Sequence, residues 1–159
     1  MVRTAVLLIL ALSPVSAAGA ACIGLSVPVT GPPGAGFAPT GTYSGHWGID
    51  YDSESGQVVR AAAAGRVSFS GIVAGNRTVT VDHGGGLKSS YSYLAEAWVG
   101  RGASVSTGSA LGTTGLLHGQ ATLGLHFSTR IDGIYVDPAT ILGCPAFAIP
   151  AALRLVPAE

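Results

Sequence analysis

The sequence predicts an all-β fold, an antiparallel β-sheet core with short helical turns only. From Tyr43 onward, short apolar or alternating runs recur at regular intervals, each bounded by glycine. Glycine supplies 24 of the 159 residues and proline 9, while 10% are charged, a composition that suits turns and short strands better than long solvated helices. Arg77-Thr78-Val79-Thr80-Val81-Asp82 alternates polar and apolar residues with the two-residue period of a half-buried strand.

Residues 1–20 read as a signal peptide. Met1-Val2-Arg3 gives a positive start, Ala5 to Leu12 an apolar run too short to span a bilayer, and Ala18-Gly19-Ala20 a small-residue cleavage site. Export of the mature chain follows. Residues 21–42 form an irregular leader, with Pro28, Pro32, Pro33 and Pro39 among its glycines and no sustained period. A single β domain is expected over 43–143, and a loosely specified apolar tail over 144–159.

Within the domain, Val58 to Ala62, Arg66 to Phe69, Thr78 to Asp82, Ser89 to Leu94, Leu125 to Arg130 and Ile134 to Val136 read as strands. Glycine-rich turns separate them at Gly71 to Gly75, His83 to Gly86, Gly100 to Gly102 and Asp132-Gly133. Asp137 followed by Pro138 reads as the cap and first residue of a short helical turn ending at Gly143.

Without Arg3 the chain carries seven Lys and Arg against eight Asp and Glu, so it offers no basic field for nucleic acid. The two cysteines, Cys22 and Cys144, flank the domain. In an exported chain they could pair as a disulfide between its ends; the alternative is a lipid-modified Cys22 after the small residues Gly19-Ala20-Ala21.

The chemistry concentrates in Gly45-His46-Trp47-Gly48-Ile49-Asp50 and Leu125-His126-Phe127. In an extended strand His46, Gly48 and Asp50 point the same way, the glycine leaving room for something bulky between the other two. Two imidazoles and a carboxylate (His46, Asp50, His126) make a zinc ligand set with a fourth position open for water, as in catalytic sites. The plainer reading is a His–Asp hydrogen-bonded pair, with His126 an unrelated core histidine. For Tyr43, Trp47 and Tyr91 sheet packing is the simpler role, and for His83 a hairpin position.

Gly45-His46-x-Gly-x-Asp50, Thr80-Val81-Asp82-His83-Gly84, Tyr91-x-Tyr93-Leu94, a Gly-x-x-Val-x-x-Gly stretch, Leu125-His126-Phe127 and Tyr135-Val136-Asp137-Pro138 occur in order. Together they resemble the lysostaphin-type, or LytM-like, zinc metalloendopeptidases that cut peptide cross-bridges of bacterial peptidoglycan. The resemblance covers residues 43–143 and implies zinc on His46, Asp50 and His126. It also implies two further histidines, one in His-x-His before the last ligand and one in Tyr-x-His. Here those positions hold Gly124 and Tyr93.

A general base contributes about 10²- to 10⁴-fold and an oxyanion donor about 10²- to 10³-fold, so their loss leaves a weak peptidase. Tyr93 can still donate a hydrogen bond. His118, eight residues before His126, can swing an imidazole over the metal and rewire the site. The expected function is therefore an exported zinc metalloendopeptidase-like domain of the bacterial cell envelope, acting on or binding peptidoglycan peptides with weak or lost hydrolysis. The alternatives are a non-catalytic regulator of a cell-wall hydrolase and an unrelated secreted β binding domain.

Overall fold

Alternating valines and threonines place one strand at the centre of a nine-stranded sheet. The computed structural model describes residues 24–42, 44–53, 56–119 and 122–143. In chain order the strands are β1 (Ala38–Pro39), β2 (Gly45–His46), β3 (Ile49–Asp52), β4 (Val58–Arg60), β5 (Gly65–Val73), β6 (Asn76–Gly84), β7 (Leu87–Ala97), β8 (Ser104–Val105), β9 (Ala110–Leu116), β10 (Leu123–Ile131) and β11 (Ile134–Val136). Among the described residues, the only helical pieces are two three-residue 3-10 turns, Leu117–Gly119 and Pro138–Thr140. The all-β, antiparallel expectation holds.

The large sheet runs β11-β10-β9-β7-β6-β5-β8, with β3 added to β10, β4 added to β9, and β10 also pairing β7. Its core is made by inward residues of successive strands: Val59, Val67, Val79, Val81, Tyr91, Leu111, Leu125 and Phe127 are each at most 1% exposed. Tyr91 and Phe127 pack ring to ring at 5.3 Å, and the Tyr91 hydroxyl accepts from the Ala62 amide at 2.7 Å, so this phenol is a core residue.

Strand β9 was not anticipated. Its sequence, ALGTTGL, carries two glycines and no clean alternation, yet Gly112 and Gly115 are where it passes close to the β7 backbone. The expected strands from Arg66 and Thr78 also run further than their apolar cores, because Ser70, Ile72 and Val73 continue the hairpin to a turn at Ala74-Gly75. Asp137 caps the second 3-10 turn as expected, its carboxylate accepting from the Ala139 amide at 2.9 Å.

The leader lies on this core. Leu25 and Val29 are buried, Gly34 donates to the Asp50 carbonyl, and Asp50 donates to the Ala35 carbonyl. Leu25 also bridges Leu142 in parallel, with Gly143 donating to the Leu25 carbonyl at 3.0 Å. Cys22, Cys144, the proposed signal peptide and the tail lie outside the described residues.

Candidate metal centre

Strand register brings the expected ligands together. His126 sits directly opposite Asp50 in the β3–β10 pairing, while Ile49, Tyr51, Leu125 and Phe127 turn into the core. Asp50 Oδ1 lies 2.8 Å from His126 Nδ1 and 3.0 Å from His46 Nε2, and those two nitrogens are 3.1 Å apart. The room left by Gly48 is filled by the His126 imidazole: a Cβ there would stand 2.8 Å from Cε1 and Nε2 of His126 and collide with the Phe127 carbonyl.

The leader orients His46. Its Nδ1 donates to the Gly36 carbonyl at 2.6 Å, which leaves the Nε2 lone pair facing Asp50. No sequence signal marked this backbone acceptor, since it depends on where an irregular segment lies.

His118 joins the cluster from the Leu117–Gly119 turn. Its Nε2 is 2.9 Å from Asp50 Oδ2 and its Nδ1 is 2.8 Å from the Tyr93 hydroxyl oxygen. Its ring centroid is 6.0 Å from that of His46 and 5.8 Å from that of His126. Tyr93 reaches it through a β-bulge: Thr78 pairs with Ser92 and Arg77 with Leu94, so Tyr93 is the extra residue, at φ 65°. A bulge re-aims a side chain that regular alternation would send elsewhere. Tyr-x-Tyr spacing carries no hint of it.

Gly124 lies in β10 opposite Asp52 and leaves no imidazole at its position. His83 is elsewhere, with Nδ1 2.8 Å from the Ala64 carbonyl and Nε2 2.7 Å from Ser89 Oγ, a hairpin tie. Trp47 packs against Tyr135 at 5.4 Å with the rings inclined at 55°, and meets Phe37 edge-on at 6.0 Å. Tyr43 lies outside the described residues.

The electrostatics fit a cation. Burial works to raise the Asp50 carboxyl, but hydrogen bonds from His126 and His118, with the nearby charges of His126 and His46, outweigh it and hold the group at about 2. Burial, then the Asp50 charge, pushes the Tyr93 phenol above its usual value, so it acts as a donor rather than a base. With Nδ1 of His46 committed to Gly36, the lone pair of its Nε2 and those of Asp50 Oδ1 face each other at 3.0 Å, and the nearest proton source between them is His126 Nδ1. Such an excess of acceptors over protons is relieved by a bound metal ion. Among the described residues, His46, Asp50, His118 and His126 form the one group of this kind, with donor atoms all within 4.8 Å of one another.

Residues 44–138 match Peptidase family M23. The chain belongs to that family. M23 peptidases are zinc-dependent, and the His/Asp group here is one that could bind a metal ion. The DD-carboxypeptidase/endopeptidase Mpg of Neisseria meningitidis is 32% identical over 101 residues, 63% of this chain but 23% of Mpg. The chain therefore spans about a quarter of that relative. A peptidase M23 structure from Pseudomonas aeruginosa superposes with a TM-score of 0.66 at 31% identity, covering 77% of this chain and 51% of the other. The SpoIIQ-SpoIIIAH pore forming complex contains a chain that is similar at TM-score 0.58 and 26% identity, covering 66% of this chain and 70% of that one.

Proposed function

We propose that this M23 domain is exported to the bacterial cell envelope, holds zinc on His46, Asp50 and His126, and slowly hydrolyses peptide bonds of peptidoglycan cross-bridges. The observation that carries the reading is the Tyr93–His118 pair beside the three proposed ligands, with His118 hydrogen-bonded to both Tyr93 and Asp50. Zinc, when bound, supplies a water of lowered pKa and polarises the scissile carbonyl. Gly36 fixes the His46 tautomer, and Asp50, anionic across the working pH range, contributes the charge of the set. Tyr93 donates its hydroxyl proton toward the developing oxyanion, and His118 takes up and returns a proton through the imidazole nitrogen that Tyr93 does not engage. Gly124 contributes no such group, so hydrolysis is slower than with both histidines by about 10²-fold or more.

A second reading, a module that docks stem peptides or activates a cell-wall hydrolase without cutting, is favoured by Gly124 and by the likeness to a chain of a SpoIIQ-SpoIIIAH complex. The two separate on purified peptidoglycan incubated with the zinc-loaded protein. New amino termini that vanish with chelator support hydrolysis. Binding to the sacculus without release supports the second reading. Metal analysis finding no zinc in wild type, or the same zinc in His46→Ala, overturns both. We also propose that Cys22 and Cys144 form a disulfide, supported by the hydrogen bond that joins Gly143 to Leu25 just inside the two cysteines.

A further inference from the structure

We propose that His118 is a fourth protein ligand of the metal centre, so that the resting site is closed on all four sides and opens when the Leu117–Gly119 turn lets go. The inference rests on the reading that the centre holds zinc, and it concerns how the fourth position is occupied.

Distance comes first. A tetrahedral zinc with nitrogen and oxygen ligands at about 2.0–2.2 Å has its donors about 3.3–3.5 Å from one another. The His118 Nε2 lies 2.9 Å from Asp50 Oδ2, and all four donor atoms fall within 4.8 Å of one another. The donor separations, from 2.8 Å up to 4.8 Å, bracket that range.

The outer contacts of His118 repeat those of a ligand. Metal-bound histidines usually tie their second nitrogen to an outer acceptor, which sets the tautomer. His46 does so with Gly36, and His118 has the Tyr93 hydroxyl oxygen 2.8 Å from Nδ1, placed to serve as that outer partner. In the metal-free site Nε2 donates to the Asp50 carboxylate at 2.9 Å; a metal ion bound there displaces that proton, and Nδ1 then donates to Tyr93.

The backbone adds an independent observation. His118 has φ 50° and ψ 27°, and its partner Tyr93 has φ 65°. Left-handed backbone is uncommon away from glycine and persists where the surroundings hold it, often at ligand clamps. The two side chains meet each other, and His118 goes on to the Asp50 carboxylate.

The same residue is the one able to leave. Its side chain is 37% exposed, against 19% for His46, 15% for His126 and 8% for Asp50. It comes from a three-residue turn, whereas the other three come from strands. A cavity of about 250 Å³, lined by Asp50, Asp52, Leu117, His118 and Thr122 among others, adjoins it and can receive a displaced ring or an incoming peptide carbonyl. Exchange of His118 for substrate then frees the imidazole and Tyr93 for the roles given above.

The test uses the full chain loaded with cobalt(II) in place of zinc, with thiocyanate as a probe of an open coordination position. Wild-type protein should give an intense tetrahedral visible spectrum that thiocyanate leaves unchanged. His118→Ala should give a spectrum that thiocyanate shifts, and zinc affinity, by competition with a chromophoric chelator, should fall by at least about 10- to 100-fold, the range seen on removing an outer partner alone. His118→Gln guards against misfolding, because its amide can still donate to Asp50; as a poor zinc ligand it should weaken affinity like alanine. Wild-type cobalt protein that responds to thiocyanate, or either variant with unchanged affinity, overturns the fourth-ligand role. If His46→Ala also binds metal like wild type, the underlying zinc reading fails instead, and the two failures are told apart.

Discussion

Substituting Gly124 by alanine should destabilise the protein, although the change is stabilising in many extended segments. A Cβ at this position stands 3.3 Å from the Tyr51 carbonyl carbon and from Leu117 Cδ2, with the Tyr51 carbonyl oxygen well inside 3.0 Å. That oxygen is backbone of β3, and ordinary van der Waals separation requires it to retreat by on the order of 1 Å. Overpacking of this kind costs about 1–3 kcal/mol, and opening one ladder hydrogen bond between β3 and β10 adds about 1 kcal/mol. The reduced entropy of the unfolded chain returns about 0.4–1 kcal/mol. The balance is a loss of about 1–3.5 kcal/mol, which in a domain of this size lowers the thermal midpoint by roughly 3–15 °C. Thermal denaturation followed by circular dichroism measures it, with Gly100→Ala as control, since nothing lies within 4 Å of a Cβ there. A Gly124→Ala midpoint equal to or above wild type refutes the argument. If it holds, Gly124→His cannot simply reinstate the missing imidazole, because it introduces the same Cβ.

Gly48→Ala should cut zinc affinity more sharply than Gly124→Ala, since its Cβ meets the His126 ring at 2.8 Å; chelator competition reads the difference. Burial, outweighing the Ala64 carbonyl and the Asp82 charge, lowers the His83 pKa below its ordinary 6.5. The unfolded state therefore binds the proton first, and this part of the stability is full above about pH 6.5 and is lost as pH falls through the lowered value. Urea midpoints of metal-free protein at pH 7.5 and 5.5 should differ more for wild type than for His83→Gln. Thiol labelling of unreduced denatured mature protein should find no free thiol, and two after reduction; labelling of either cysteine before reduction refutes the Cys22–Cys144 link.

What could be read in the sequence depended on whether the information was local. The alternation around Val79 and Val81 fixes which face of β6 is buried whatever its partners, and the His46, Gly48, Asp50 spacing survives because it needs three residues of one extended run. The bulge at Tyr93 is different. It exists only because β6 and β7 pair out of step by one residue, a property of two strands together. Sequence spacing puts His118 within reach of the His46, Asp50 and His126 cluster, but its place among the donors depends on a left-handed turn that no residue type at 117–119 demands. Strand β9 was missed because Gly112 and Gly115, which interrupt its pattern, are required by the closeness of β7. The Gly36 carbonyl that orients His46 is backbone, and backbone acceptors leave no trace in residue identity.

The order of folding and metal uptake follows from where the donors lie along the chain. His46 and Asp50 are four residues apart, but His118 and His126 come 68 and 76 residues after Asp50. An unfolded chain offers an ion only a two-point grip, so firm capture waits until β3 has found β10, among the most distant pairings in the sheet. On the proposed zinc reading, the ion is thus a late clasp on a finished fold. At a free concentration 100 times its dissociation constant it adds about 2.7 kcal/mol to the stability of that fold, and it adds nothing to the steps before.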